Sequence, residues 1–103
     1  MEYHLYKSSN PNKKFMVKFI NQTTGRINTI NFGSANMSDY TINKDDKRQA
    51  LYKLRHANDN INDLSYAGAW SWWLLWNNKT LESSIRDMET RFKIKININR
   101  MSY

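Results

Sequence analysis

Along the first third of the chain, apolar side chains recur at every second position. In Lys14-Phe15-Met16-Val17-Lys18-Phe19-Ile20, the side chains of Phe15, Val17 and Phe19 fall on one side and those of Lys14, Met16 and Lys18 on the other, the period of a half-buried strand. Tyr3 to Lys7 is a shorter strand candidate ahead of it. The turn-forming Asn21-Gln22-Thr23-Thr24-Gly25 predicts a hairpin that returns through Arg26 to Phe32, with Gly25 free to take a positive φ. One face of the hairpin is expected in the core, and the other is expected to be basic. Residues 33–43 show no clean period and are rich in turn formers, which predicts a loop.

The period then lengthens. Asn43, Asp45 or Asp46 can cap a helix running to about Asn58, with acidic residues at its positive end, and Ala50, Leu51, Leu54 and Ala57 form its expected buried stripe. Arg48, Tyr52 and Arg55 share another face, with Lys44, Lys47 and Lys53 nearby. The segment from Tyr66 to Asn77 predicts a second helix. Thr80 can cap a third through about Phe92, with Leu81, Ile85, Met88 and Phe92 as its core stripe. Ile94, Ile96 and Ile98 alternate with Lys93, Lys95, Asn97 and Asn99, which predicts a half-buried strand over residues 93–99, followed by a tail over 100–103. The whole reads as one α+β domain over residues 1–103. A β-hairpin region (1–32) precedes a helical region (44–92), and a small antiparallel sheet of the hairpin plus the C-terminal strand packs with about three helices.

The helix predicted over 66–77 holds four tryptophans in seven positions, Trp70-Ser71-Trp72-Trp73-Leu74-Leu75-Trp76. Its apolar run is broken by Ser71 and ends at Asn77, well short of the roughly 20 residues a bilayer span needs. It also lacks the Lys or Arg face of an interfacial helix, so no membrane partner is expected. Trp70, Trp73 and Asn77 share one face, while Trp72, Leu75 and Trp76 share another, more than one sheet can cover. The second face falls to other helices or to a second copy of the chain, so a homodimer is expected. Trp70, Trp72, Trp73 and Trp76 are therefore candidates for core or dimer interface. A base-stacking groove would interleave Arg and Lys among them.

Composition sharpens the choice of partner. Among 103 residues there is no cysteine, which excludes a disulfide framework, a thiolate zinc site and a cysteine nucleophile. Met1 to Lys7 lacks the pattern of a secretory signal. Sixteen Lys+Arg against nine Asp+Glu give +7, and the surplus is uneven: residues 1–56 carry ten basic and four acidic side chains, residues 57–103 six and five. A polyanion is the natural partner for such a domain, and the first half is where it would bind. A surplus of lysine also serves solubility alone.

Candidate chemistry is thin. His4 lies in a predicted strand and His56 near a helix end. His56 can be grouped with Asp59 and Asp63, but neither spacing is a ligand signature, and a cation at a helix C-terminus is the ordinary explanation. Asp45-Asp46 would need distant partners to hold a metal. Gly25, Gly33 and Gly68 are too scattered to cradle a phosphate. No catalytic residue, metal or cofactor is expected, and the chain does not read as an enzyme.

One longer pattern stands out. Gly33, Met37 to Thr41, Lys44-Asp45, Arg55-His56, Ala67-Gly68, the Trp70–Trp76 segment, Thr80 to Glu82 and Ser84-Ile85 together resemble a family of small proteins encoded by giant DNA viruses of protists, the mimivirus and phycodnavirus group. The resemblance covers about residues 32–85. Where that family has Ser-Arg-Trp, this chain has Ser71-Trp72-Trp73, which removes a positive charge from the helix. The resemblance implies a viral protein made in the host cytoplasm (the viral factory) and packaged in the virion, with the double-stranded DNA genome as the polyanion. The function expected is non-sequence-specific DNA binding that condenses the genome, as a virion or nucleoid protein. The contacts would be phosphate contacts from Lys14, Lys18 and Arg26 on the hairpin and from Lys44, Lys47, Arg48, Lys53 and Arg55 around the basic helix, with Tyr40 and Tyr52 as secondary contacts. The alternative is a virion structural or protein-interaction module with an exposed aromatic surface.

Overall fold

The computed structural model describes residues 1–99. Three strands come first: β1 (Glu2–Lys7), β2 (Lys13–Ile20) and β3 (Ile27–Ser34). The helices α1 (Tyr40–Asn43), α2 (Asp46–Arg55) and α3 (Ala67–Trp70) follow, α3 running on as a π-helical turn over Ser71–Leu75; then come α4 (Leu81–Phe92) and β4 (Lys95–Ile98). The four strands form one sheet in the order β3-β2-β1-β4. The architecture is α+β, a small sheet packed with helices.

The alternating positions face as the sequence pattern predicts on the core side. Val17 and Phe19 are buried, Phe15 stacks on Phe32 with centroids 5.9 Å apart, and Tyr3 and Leu5 add to the same face from β1. The hairpin turn is held by Asn21, whose side chain accepts from the amides of Thr23 and Thr24 while Gly25 takes φ 73°. The other face is less simply basic than expected. Met16 is buried there, receiving the Ser9 hydroxyl on its sulfur, and Lys18 lies over the ring of Tyr6 at 5.8 Å.

β4 joins the N-terminal strands, but parallel to β1, with Tyr3 opposite Ile96 and Leu5 opposite Ile98. The expected sheet was antiparallel throughout. A parallel neighbour needs a long crossover, and the helical region between β3 and β4 supplies it. The tail over 100–103 lies outside the described residues.

The tryptophan segment is the centre of the core. Trp70, Leu74, Leu75 and Trp73 are buried with Tyr3, Leu5, Val17, Phe19, Phe32, Ile85, Met88 and Ile96, and Trp72 and Trp76 pack against them. Each buried indole N–H has a partner: Trp70 donates to the carbonyl of Leu64 at 2.9 Å and Trp73 to that of Ile61 at 2.7 Å. These two bonds tie down the loop between α2 and α3. α4 lays Ile85 and Met88 on the cluster, with Leu81 and Phe92 at its edges, and Thr80 caps it as predicted. Gly33 marks where sheet and π-turn meet. A Cβ there would lie 2.7 Å from Leu75 Cδ1, and its φ of 77° suits glycine.

Two local expectations are corrected here. Residues 33–43 are not all loop: β3 runs through Ser34, and Asp39 caps the single turn α1 by accepting from the amide of Thr41. The expected buried stripe faces outward: Ala50, Leu51 and Leu54 are exposed on α2, Ala57 lies exposed beyond its end, and Tyr52 is buried instead. The inward contacts are made by Gln49, whose amide donates to the carbonyls of Trp76 and Asn77, and by Tyr52, whose ring stacks on Trp76 at 4.4 Å.

Candidate nucleic-acid interface

The expected basic residues divide by what already holds them. Lys14 forms an ion pair with the buried carboxylate of Asp39, which also caps α1, so its charge is spent inside the fold. Lys44 takes a left-handed conformation at the end of α1 and donates to the carbonyls of Thr41 and Lys79. Lys53 lies over the Trp72 ring at 5.6 Å. Tyr52 is buried between Trp76 and His56 and presents no free ring to a base. Tyr40 is buried too, donating its hydroxyl to Asp46, and this bond raises its pKa above the ordinary tyrosine value and holds the Asp46 carboxyl below its own. Lys14 and Lys44 thus make contacts within the fold where phosphate contacts were expected, and Tyr52 does so where a secondary contact was expected.

Lys18 and Arg26 lie apart from the α2 cations. Arg26 stands at the β2–β3 turn, at the opposite end of β3 from Ser34, where the chain leaves for α1 and α2. Eight strand residues span roughly 25 Å, so Arg26 does not join the α2 cations. Lys18 lies between, on the sheet face that carries Tyr6.

Lys47, Arg48 and Arg55 remain exposed on α2, and no ion pair holds them among the described residues. Arg55 lines a recess of about 270 Å³ with Lys13, Lys14, Ser34, Ser38 and His56. A second recess, of about 790 Å³, lies beside it and shares Lys13, Lys14 and Asp39; its further walls include Lys7, Ser8, Ser9, Asn10 and Thr41. The two together bring Lys7, Lys13 and Arg55 to one end of the sheet, around the neutralised Lys14–Asp39 pair. Hydroxyl and amide groups between the cations add donors for phosphate oxygens. Sequence reasoning missed Lys7 and Lys13. Their signal was local: each borders the Ser8–Asn12 turn that folds them onto this end.

The acid/base candidates do not assemble. His56 Nδ1 lies 2.7 Å from Asp59 Oδ2, while Asp63 accepts from the amide and hydroxyl of Ser65, bonds that hold its carboxyl low. Asp45 is the N-cap of α2, accepting from the amides of Lys47 and Arg48. Among the described residues no group of three or more His, Asp or Glu could hold a metal ion. No helix among them is long and apolar enough to cross a membrane.

Residues 3–56 match the profile of a family of unknown function, DUF5754. The chain belongs to that family. No curated protein and no solved structure matches it. The DUF5754 match spans β1 to the end of α2 and so contains both recesses' lysines and Arg55, whereas the tryptophan segment that supports them lies beyond it.

Proposed function

We propose that this DUF5754 chain is a DNA-binding protein that grips the phosphate backbone of double-stranded DNA without sequence preference. The observation that carries the reading is the cluster of Lys7, Lys13 and Arg55 on the walls of two adjoining recesses, none of them in an ion pair among the described residues. Arg48 and Lys47 extend the positive surface along α2. The resemblance of residues 32–85 to a giant-virus family supplies the remaining parts of the proposal: a viral genome as the DNA, condensation as the role, and the virion and host cytoplasm as the places. Binding is proposed as the whole activity, with no catalytic step.

The alternative, docking through exposed aromatic rings, is less favoured: Tyr66 is exposed, but the tryptophans lie wholly or partly within the core. Trp70 and Trp73 are buried, and Trp72 and Trp76 pack against the core.

The test is binding to long duplex DNA across a salt series. Each phosphate neutralised contributes about −0.9 to the slope of log affinity on log salt. Replacing Lys7, Lys13 and Arg55 together by Gln is expected to make that slope shallower by about 3, while Arg26→Gln leaves most of it. Undetectable binding at low salt, or an affinity indifferent to salt, would end the proposal.

A further inference from the structure

The outward face of α2 is the strangest surface of the molecule. Leu51 is 46% and Leu54 73% exposed, and Ala50 lies exposed on the same helical face, with Ala57 exposed just beyond the end of α2. This stripe is not a frayed end. α2 is capped by Asp45, and its opposite face is fastened by Gln49 to two carbonyls and by Tyr52 to Trp76. Met37, 64% exposed, lines the recess that holds Arg55, beside the same flank. Phosphates offer nothing to these side chains, so DNA binding leaves the stripe unexplained.

We infer that the exposed face of α2 is a docking surface for an acidic amphipathic helix of another protein. The apolar stripe sets the partner's anchors: leucine-like side chains at the i, i+3, i+4, i+7 spacing that lies along a helix. The rim sets its charge. Lys47 lies within the stripe, and Arg48 and Arg55 flank it with no carboxylate at ion-pair distance among the described residues. Carboxylates flanking the partner's apolar face would meet them. A second copy of this chain fits poorly, because a two-fold pairing of α2 sets this rim against its own like charges. Asp46, the acidic residue of the first turn, is already engaged by the Tyr40 hydroxyl and by Lys79.

The experiment uses the full chain and a fluorescent synthetic peptide of roughly 18 residues, long enough for several helical turns, with leucines at the stated spacing and glutamates beside them. Two control peptides carry lysine for each glutamate or serine for each leucine. The acidic leucine peptide is expected to bind saturably. Both controls, and the double variant Leu51→Ser/Leu54→Ser, are expected to weaken binding by about ten-fold or more, while that variant keeps the parent's circular dichroism and DNA affinity. Equal binding of the serine peptide would reduce the effect to bare charge and overturn the inference, as would undiminished binding to the double variant. So would a concentration-dependent dimer, or binding to anionic phospholipid vesicles, that disappears in Leu51→Ser/Leu54→Ser, since the occupant would then be a second copy or a lipid surface.

Discussion

Residues 67–75 and α2 meet at Trp76, and each groups its apolar side chains by helical spacing, yet they turn them in opposite directions. The first segment buries Ala69, Trp70, Trp73, Leu74 and Leu75; the second leaves Leu51 and Leu54 outside. The neighbours explain the contrast. Residues 67–75 face Tyr3, Phe19 and Phe32, an apolar sheet surface on which large side chains remove the most area from water. α2 faces the end of the tryptophan helix, which offers bare carbonyls at Trp76 and Asn77 and a flat indole. Carbonyls at a helix C-terminus need donors, so the Gln49 amide serves there where leucine could not. The indole takes the nearly parallel Tyr52 ring, 6° from coplanar. Apolar spacing therefore says which side chains share a face; the surface opposite decides whether that face turns in.

The strongest way to break this comparison is to remove the inward anchor. Trp70 is fully buried, touches Tyr3 and Phe32, and donates to Leu64. Trp70→Ala is expected to cost about 3–5 kcal/mol, a large part of the roughly 5–15 kcal/mol that holds a domain together. Urea denaturation followed by fluorescence of the remaining tryptophans measures it. A loss below about 1 kcal/mol would mean that the segment is not the core.

Tyr52 tests the junction itself. Burial, and then the negative charge of Asp59, push its hydroxyl up to about 12 from the ordinary 10.0. The folded chain thus holds the proton more tightly than the unfolded chain does. Stability linked to Tyr52 is full below about pH 10 and is lost as the pH rises toward 12. Tyr3, raised by burial and by Asp63, and Tyr40, raised by its bond to Asp46, act in the same direction. Tyr52→Phe is therefore expected to flatten part of the alkaline loss, read from denaturation midpoints at successive pH values. Parallel pH profiles for parent and variant would show that α2 is not packed through this ring.

Much of the fold was legible because its signals are local. The alternation at Phe15, Val17 and Phe19 pointed to the core face of β2, Thr80 to the start of α4, and Ile85 and Met88 to its buried side. The direction of β4 was not legible, since Ile94, Ile96 and Ile98 alternate identically in a parallel or antiparallel pair. Lys14 looked available because its partner, Asp39, is 25 residues away in sequence. Lys7 and Lys13 looked like ordinary turn flanks until the turn brought them to the end of the sheet that Arg55 also reaches. The candidate site was thus half visible: Lys47, Arg48 and Arg55 as exposed cations on one helix, without the neighbours that complete the recesses.

The smallest expected effect is the most discriminating. At 73% exposure Leu54 has little apolar area to lose, so Leu54→Ser should change the unfolding free energy by no more than about 0.5 kcal/mol, the usual range for a surface substitution. Serine lowers helix propensity by a few tenths of a kcal/mol, within that range. A buried leucine at the same position would cost about 2–5 kcal/mol on truncation. The two orientations of α2 therefore differ several-fold in a single denaturation curve. A loss of about 2 kcal/mol would place the leucine stripe inside the fold and Tyr52 outside it, and with that the contrast between the two helical segments would disappear. A loss near zero leaves Leu54 free for a partner, and the same denaturation curve for Leu51→Ser/Leu54→Ser, with Leu51 only 46% exposed, separates a binding defect in that variant from unfolding.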